Sequence, residues 1–342
     1  MLLFHILDTF CFYNRNNDYI LGGKALIEVK NLVKKYGNHL AVDDLSFSVK
    51  EGQIYGFLGP NGAGKSTTMN IMTGYISASS GEVIINGHDI LKEPELAKKS
   101  IGYLPEIPPL YMDMKVSEYL RFVAELKQIE KVAREESVEE AISLVGLEDV
   151  KDRLIKNLSK GYKQRVGLAQ AILGFPEIII LDEPMVGLDP KQIIEMRELI
   201  RALAKEHTVI LSSHILAEVR EMCDHIMIIS NGKLVASDTP QNLEKMMSGT
   251  ETIVAEVEGK VTAVKKALKG LEGVTFEVKE NKKGVILLEI KTKDKDMRKE
   301  ISHALIEEDC QIITLKKEMV SLEDVFLGLT EKEEEEEDDS DL

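Results

Sequence analysis

The sequence predicts an α/β fold with a mixed-sheet core, followed by a small α+β module. Three observations predict it. The apolar stretch Gln53 to Leu58 runs into a glycine-rich loop and then a helix-forming segment, a strand–loop–helix unit. A second apolar run, Ile178 to Leu181, ends in the paired acids Asp182 and Glu183. Between Thr252 and Leu315 the pattern reads strand, helix, strand, strand, helix, strand, which is the ferredoxin-like order.

Taken in chain order, Leu26 to Val29 and Leu45 to Val49 alternate as strands, and Gln53 to Leu58 is a short buried strand. Ser66 to Tyr75 follows as a helix. Val83 to Ile85 leads into Asn86-Gly87, a hairpin turn. This first part therefore joins an antiparallel region to the strand–loop–helix unit. From about Val116 to Ile172 the spacing is helical, rich in Glu, Lys, Leu and Ala. Glu177 to Asp182, Thr208 to Ser212 and His225 to Ile229 read as strands, and Ser230 to Lys233 turns back into Leu234 to Ala236. The later module reads as strands Thr252–Val257, Val274–Val278, Val285–Lys291 and Ile312–Leu315, with helices Thr262–Lys269 and Lys295–Glu308. A last helix, Ser321 to Leu329, opens on a Ser321-x-x-Asp324 cap.

The expected organisation is a leader at 1–24, a large domain at 25–248, a ferredoxin-like accessory domain at 249–330 and an acidic tail at 331–342. The leader holds an apolar stretch, Leu2 to Phe12, broken by His5, Asp8 and Thr9. No basic residue precedes that stretch, so it makes a poor signal peptide. It reads as a disordered leader or as a start codon placed too far upstream. The tail carries −8 of the net charge of −16, and it has too few apolar groups to order itself. The rest of the chain is mildly acidic, which argues against a nucleic-acid binder. The three cysteines, Cys11, Cys223 and Cys310, are far apart and lack metal-ligand spacing, as in a reduced cytosolic chain. No apolar run approaches the roughly 20 residues that span a bilayer.

The loop Gly59-Pro60-Asn61-Gly62-Ala63-Gly64-Lys65-Ser66-Thr67 fits the phosphate-loop pattern. Its glycines let backbone N–H groups turn inward around an anion, and the following helix adds its positive end. Lys65 is placed to neutralise β- and γ-phosphates, Ser66 to give a hydroxyl to Mg²⁺, and Thr67 to bond an α-phosphate oxygen. Asp182 is the candidate for holding Mg²⁺, and Glu183 is the candidate general base for an attacking water. A strand ending in Asp-Glu is common by itself. With a phosphate loop whose Lys65 stands 117 residues earlier, the pair becomes specific.

Between these elements lies Leu158-Ser159-Lys160-Gly161-Tyr162-Lys163-Gln164-Arg165. This segment resembles the ABC signature, Leu-Ser-Gly-Gly-Gln, at Leu158, Ser159 and Gly161, and departs from it at Lys160 and Tyr162. The variant is similar to that of ABC-2-type exporter ATPases, the multidrug and gliding-like branch. The resemblance covers Leu26 to Ala236 strongly and the C-terminal domain loosely. It implies a P-loop ABC ATPase domain with an antiparallel β subdomain and a helical subdomain. It further implies that Tyr36 stacks on adenine, that Gly187-Leu188-Asp189-Pro190 is the D-loop with Asp189 at its core, and that His214 senses the γ-phosphate. Taken one by one, Tyr36 reads as a surface aromatic, His214 as a core histidine and Asp189 as a turn residue. Their order along the chain is what the family shares. Where the family carries its Q-loop glutamine, after Ile101 to Pro105, this chain has Glu106, a carboxylate that adds a candidate Mg²⁺ ligand and an extra negative charge.

The family's signature acts on ATP held by a second subunit. The resemblance therefore implies a homodimer, or a pair with a paralogous ATPase subunit, closing on two ATP. Hydrolysis of ATP would drive a separate transmembrane permease subunit, which Ile107 to Tyr119 would contact. The chain would then sit in the cytoplasm, peripheral on the inner face of the cell membrane, without nucleic acid as a partner. The alternatives are a non-transport ABC ATPase acting on ribosomes or DNA, an importer ATPase, and a module that holds ATP without hydrolysing it. The first lacks its second nucleotide domain or coiled coils here, and intact Lys65, Asp182, Glu183 and His214 argue against the last. The C-terminal domain and the Ser-Lys-Gly-Tyr variant lean toward export.

Overall fold

The computed structural model describes residues 25–246, 251–282, 284–292 and 296–318. The leader, the helix expected at 321–329, the acidic tail and Cys11 lie outside the described residues. Two compact units divide the chain. Among the described residues, the first takes residues 25–215 with Met222–Asp224 and Ile229–Leu234, and the second takes Leu216–Glu221, His225–Ile228 and the described residues from Val235 on.

The first unit opens on a curved antiparallel pair, β1 (Ala25–Tyr36) and β2 (His39–Lys50). Both run further than their apolar alternation does. The alternation breaks at Asn31 and Asp44, which take left-handed φ values of 48° and 51°. Their side chains bond each other across the pair at 2.8 Å, so the interruption is a matched irregularity and the strands continue past it. β4 (Ser80–Ile85) adds to the free side of β1, and β5 (His88–Asp89) follows through a turn with φ of 48° at Asn86 and 87° at Gly87. Two positive φ values in succession are what an Asn-Gly hairpin turn requires.

The larger sheet has the order β10-β9-β3-β8-β7-β6. Its strands are β3 (Ile54–Leu58), β6 (Ile101–Leu104), β7 (Ile178–Leu181), β8 (Thr208–Ser213), β9 (His225–Ser230) and β10 (Lys233–Asp238). β3 with β8, β8 with β7 and β7 with β6 pair in parallel. Every residue of β3, β7 and β8 is buried, as expected for strands covered on both faces. Phe57 on β3 is fully buried and meets Phe47 of β2 edge to face, ring centres 5.2 Å apart.

Helix α1 (Lys65–Met72) follows β3 and is shorter than the apolar pattern suggests. It stops because Gly74 takes a left-handed φ of 65° just after the cap residue Thr73. After α2 (Pro94–Lys99), the expected helical stretch resolves into α3 (Val116–Leu126), α4 (Lys131–Leu144), a 3₁₀ turn at Ile155–Asn157 and α5 (Lys160–Ile172). α6 (Pro190–Leu203) then leads to β8.

In chain order, α7 (Leu216–Met222) and α8 (Pro240–Met246) precede a four-stranded antiparallel sheet, which belongs to the second unit. That sheet has the order β12 (Val274–Lys282), β13 (Val285–Thr292), β11 (Glu251–Glu258), β14 (Gln311–Glu318). With α9 (Val261–Lys269) after β11 and α10 (Arg298–Glu307) after β13, this is the ferredoxin-like βαββαβ order. The side chains of Ile253, Ala255, Val257, Ile286, Leu288 and Ile290 alternate onto one sheet face and form a core with Val264, Leu268, Ile301 and Leu305 of the two helices. The opposite face carries ion pairs such as Lys279 with Glu277 and Glu289. Among the described residues, no helix is long and apolar enough to cross a membrane. Cys223 and Cys310 are both free and buried.

Phe57 fills the contact between β3 and β2, so its truncation leaves a cavity. Phe57→Ala is expected to cost about 3–5 kcal/mol of unfolding free energy, read from urea denaturation.

Candidate functional site

One edge of the parallel sheet gathers the candidate residues. Leu58 pairs with Ser213, Leu211 with Leu181, and Leu181 with Leu104. The loop at Gly59, His214, the pair Asp182-Glu183 and the segment carrying Glu106 therefore all leave strands at the same, C-terminal side. Ligands of parallel α/β sheets bind at that edge.

The loop after β3 needs glycine at two places. A Cβ at Gly59 would lie 2.3 Å from the Ile229 carbonyl oxygen. Gly64 has a φ of 101°, and a Cβ there would lie 2.5 Å from the Ala41 carbonyl oxygen. Gly64 is also the N-cap of α1 and offers no capping side chain, so the first amides of α1 stay open to an incoming acceptor. Asn61 and Gly62 are exposed, Ala63 is buried and Thr67 is half-buried. Lys65 is buried and folded back over the loop. Its Nζ donates to the carbonyl oxygens of Gly59 at 2.7 Å and Pro60 at 3.0 Å. Burial pushes its pKa down, opposed by the charges of Glu183 and Asp182.

Asp182 and Glu183 are buried at the end of β7. Ser66 donates its hydroxyl to Asp182 Oδ1 at 3.2 Å, and Ser212 donates to the same oxygen at 2.6 Å. Ser212 also accepts the backbone N–H of Glu183 at 2.9 Å. This one hydroxyl thus ties the Asp182 carboxylate to the Glu183 backbone. Glu183 takes a left-handed φ of 48°, and His214 Nδ1 lies 3.0 Å from both of its carboxylate oxygens. Tyr103 on β6 bonds Asn70 of α1, and burial together with Asp182 raises its pKa. Glu106 is exposed two residues beyond the end of β6.

Tyr36 ends β1 with its ring half exposed, and the Lys34 ammonium stands 5.1 Å from the ring centre. That geometry is a cation–π contact. Ser159 is the N-cap of α5 and accepts the Tyr162 N–H at 3.4 Å, while its side chain stays exposed. Gly161 is buried against the Gln192 side chain, where a Cβ would lie only 2.7 Å away. The Lys160 amine occupies the space over Gly187, which has a φ of 70°. Asp189 is the N-cap of α6 in a capping box with Gln192, and Pro190 takes the first helical position. Ser159 and Gly161 are thereby assembled with the Gly187–Gln192 segment, whereas Lys65, Ser66, Asp182, Glu183 and His214 assemble with each other.

Lys65 with the loop amides suits a polyanion such as a triphosphate. Among the described residues, no three His, Cys, Asp or Glu side chains gather as a metal cage. The donors present, one carboxylate oxygen of Asp182 beside one hydroxyl of Ser66, are hard oxygens. They fit Mg²⁺, which typically takes one or two carboxylates together with substrate phosphates and water. Sequence reasoning passed over Ser212. The available signal was its place at the C-terminal end of a buried strand beside the strand carrying the acids.

The family model described as ABC transporter matches residues 42–186. The bacitracin transport ATP-binding protein BcrA of Bacillus licheniformis is 41% identical over 223 residues, 65% of this chain and 72% of that one. The lantibiotic transport ATP-binding protein SrtF of Streptococcus pyogenes is 36% identical over 227 residues, 65% of this chain and 96% of that one. A solved ATP-binding subunit of an ABC transporter superposes with a TM-score of 0.60 at 32% identity, covering 65% of this chain and 93% of that one.

Two substitutions probe the assembly. Gly64→Ala is expected to weaken nucleotide binding by about tenfold or more, roughly 1.4 kcal/mol, in a fluorescent-nucleotide titration. Ser212→Ala leaves the buried Glu183 N–H without its acceptor and is expected to cost about 1–3 kcal/mol in denaturant unfolding.

Proposed function

The chain belongs to the ABC transporter family as an ATP-binding subunit, and from that premise we propose that two copies close around two ATP molecules and drive a separate membrane permease, in the direction of export. The observation that carries the hydrolytic part is the Glu183 carboxylate, held between the Ser212 hydroxyl on its backbone and the His214 ring on its side chain. A glutamate with its backbone held by Ser212 and its carboxylate by His214 is suited to orient and deprotonate a water beside the terminal phosphate.

In this reading Lys65 exchanges the carbonyls of Gly59 and Pro60 for the β- and γ-phosphates, and the amides at Gly64 to Ser66 complete the cradle. Thr67 bonds an α-phosphate oxygen, and Tyr36 offers the ring face away from Lys34 to adenine. Ser66 and Asp182 would hold Mg²⁺, with Glu106 as an added ligand, and the metal would neutralise charge on the phosphate oxygens. His214 moves its Nδ1–H from Glu183 toward the γ-phosphate and frees Glu183 for water. Ser159, exposed at the start of α5, and the adjacent Gly161, buried against Gln192, bind the nucleotide held by the second copy. Asp189 passes the state of one site to the other. The large domain at 25–248 does this work, and the ferredoxin-like domain at 249–330 is accessory to it.

The names of the bacitracin and lantibiotic relatives support transport as the role. The permease, a separate multi-spanning chain contacted through Ile107 to Tyr119, would hold this subunit on the inner face of the membrane.

Glu183→Gln keeps the hydrogen-bonding shape and removes the base. Turnover is expected to fall by about 10²–10⁴-fold in a phosphate-release assay, while ATP binding persists and a dimer accumulates on gel filtration. Undiminished hydrolysis in this variant would remove Glu183 from the role of base.

A further inference from the structure

Helix α5 opens on Ser159, and its far end is clamped. Lys127, just beyond the end of α3, donates its ammonium to the carbonyl oxygens of Ala171 at 2.9 Å and Leu173 at 2.7 Å. α5 ends at Ile172 with Leu173 as its C-cap, so these are carbonyls of its last turn and cap. A cation at that position satisfies acceptors that have no partner within the helix and meets the negative end of the helix dipole. Among the described residues, no carboxylate forms an ion pair with Lys127, so its bonds are to this helix end alone.

The same helix is keyed into the strand that leads to Glu106. A Cβ at Gly102 would lie 2.3 Å from the Ala171 carbonyl oxygen, and one at Gly167 would lie 2.6 Å from Leu104 and 2.9 Å from Pro108. Leu104 and Pro108 bracket Glu106. Tyr119 of α3 also donates to Gln170 on the last turn of α5. Backbones that approach this closely leave no slack: α5 and the Glu106 segment move together or separate.

We infer that Lys127 is a positioning residue, which fixes the carbonyl end of α5 against α3 and so sets where Ser159 and Gly161 stand at the other end. The inference rests on the proposed function, because only a closed pair of subunits uses that end of α5. A helix of 13 residues is about 20 Å long. A tilt of about 5° at the clamp displaces the opposite end by about 2 Å, and misplacement of about 1 Å at a reacting centre can cost up to 10²-fold. Among the described residues, the Lys127 ammonium bonds only Ala171 and Leu173 and no residue of the phosphate loop, so nucleotide affinity of the single chain is expected to depend little on the clamp.

The test compares the full chain with Lys127→Met and Lys127→Arg, using ATP as the probe. Lys127 is exposed as a whole residue while its ammonium sits in a desolvated place that pushes its pKa down to about 8, so its replacement leaves no cavity in the apolar core. Lys127→Met is expected to lower kcat about tenfold, with the ATP dissociation constant unchanged within about twofold and the thermal midpoint within a few degrees. Lys127→Arg keeps the charge and the donors and is expected to restore most of kcat. An unaltered kcat in Lys127→Met overturns the inference. A fall in kcat matched by loss of ATP affinity or by unfolding also overturns it, because that is the signature of general packing. Failure of Lys127→Arg to restore activity counts against the clamp in the same way. An unsubstituted chain without turnover overturns the proposed function and this inference together, whereas turnover that survives Lys127→Met overturns this inference alone.

Discussion

Parallel register is the constraint on which the site depends. Leu104, Leu181, Leu211 with Ser213, and Leu58 are hydrogen-bonded neighbours across four strands. Once those pairs form, the chain leaves the sheet at one side in four adjacent places. A shift of one residue in β7 would turn Asp182 and Glu183 to opposite faces relative to Ser66 and Ser212. The apolar runs Ile178–Leu181 and Thr208–Leu211 are buried throughout, and that burial resists such a shift. Chemistry at this edge is thus a by-product of packing further down the strands, where no functional group is present.

Much of this was legible in the residues. The strand–loop–helix unit, the acidic strand end and the βαββαβ order each depend on local pattern, and local pattern is what a single sequence carries. The misses have physical causes. β1 and β2 run past their alternation because Asn31 and Asp44 bond each other from opposite strands, a non-local event. α1 stops early because Gly74 adopts a left-handed conformation. Ser212 was invisible as a site residue because a serine inside an apolar strand gives no signal until the neighbouring strand is known. The position of Tyr36, Ser159 and Asp189 was readable, but their partners were not. Asp189 turns out to cap α6, and the Lys160 amine covers Gly187.

The departures from the signature pattern find a structural place. Lys160, where the family has glycine, lays its side chain across the turn that precedes Asp189. At Gly161 a side chain would displace the Gln192 amide group, which lies 2.7 Å from where a Cβ would stand. One position therefore faces solvent and the turn, while a side chain at its neighbour would have to move Gln192. Tyr162 extends outward and bonds Asp149 at 3.2 Å, which secures the start of α5 to the preceding helical region.

The left-handed backbone at Glu183 has a consequence for how such a subunit could lose its activity over evolutionary time. At a φ of 48°, valine, isoleucine and threonine are disfavoured by their branched Cβ, while asparagine, aspartate and glycine fit. A lineage drifting toward a silent, ATP-holding form therefore has a narrow set of exits at this codon. Glutamine, the small polar residues and glycine are the open ones, whereas the branched residues are closed.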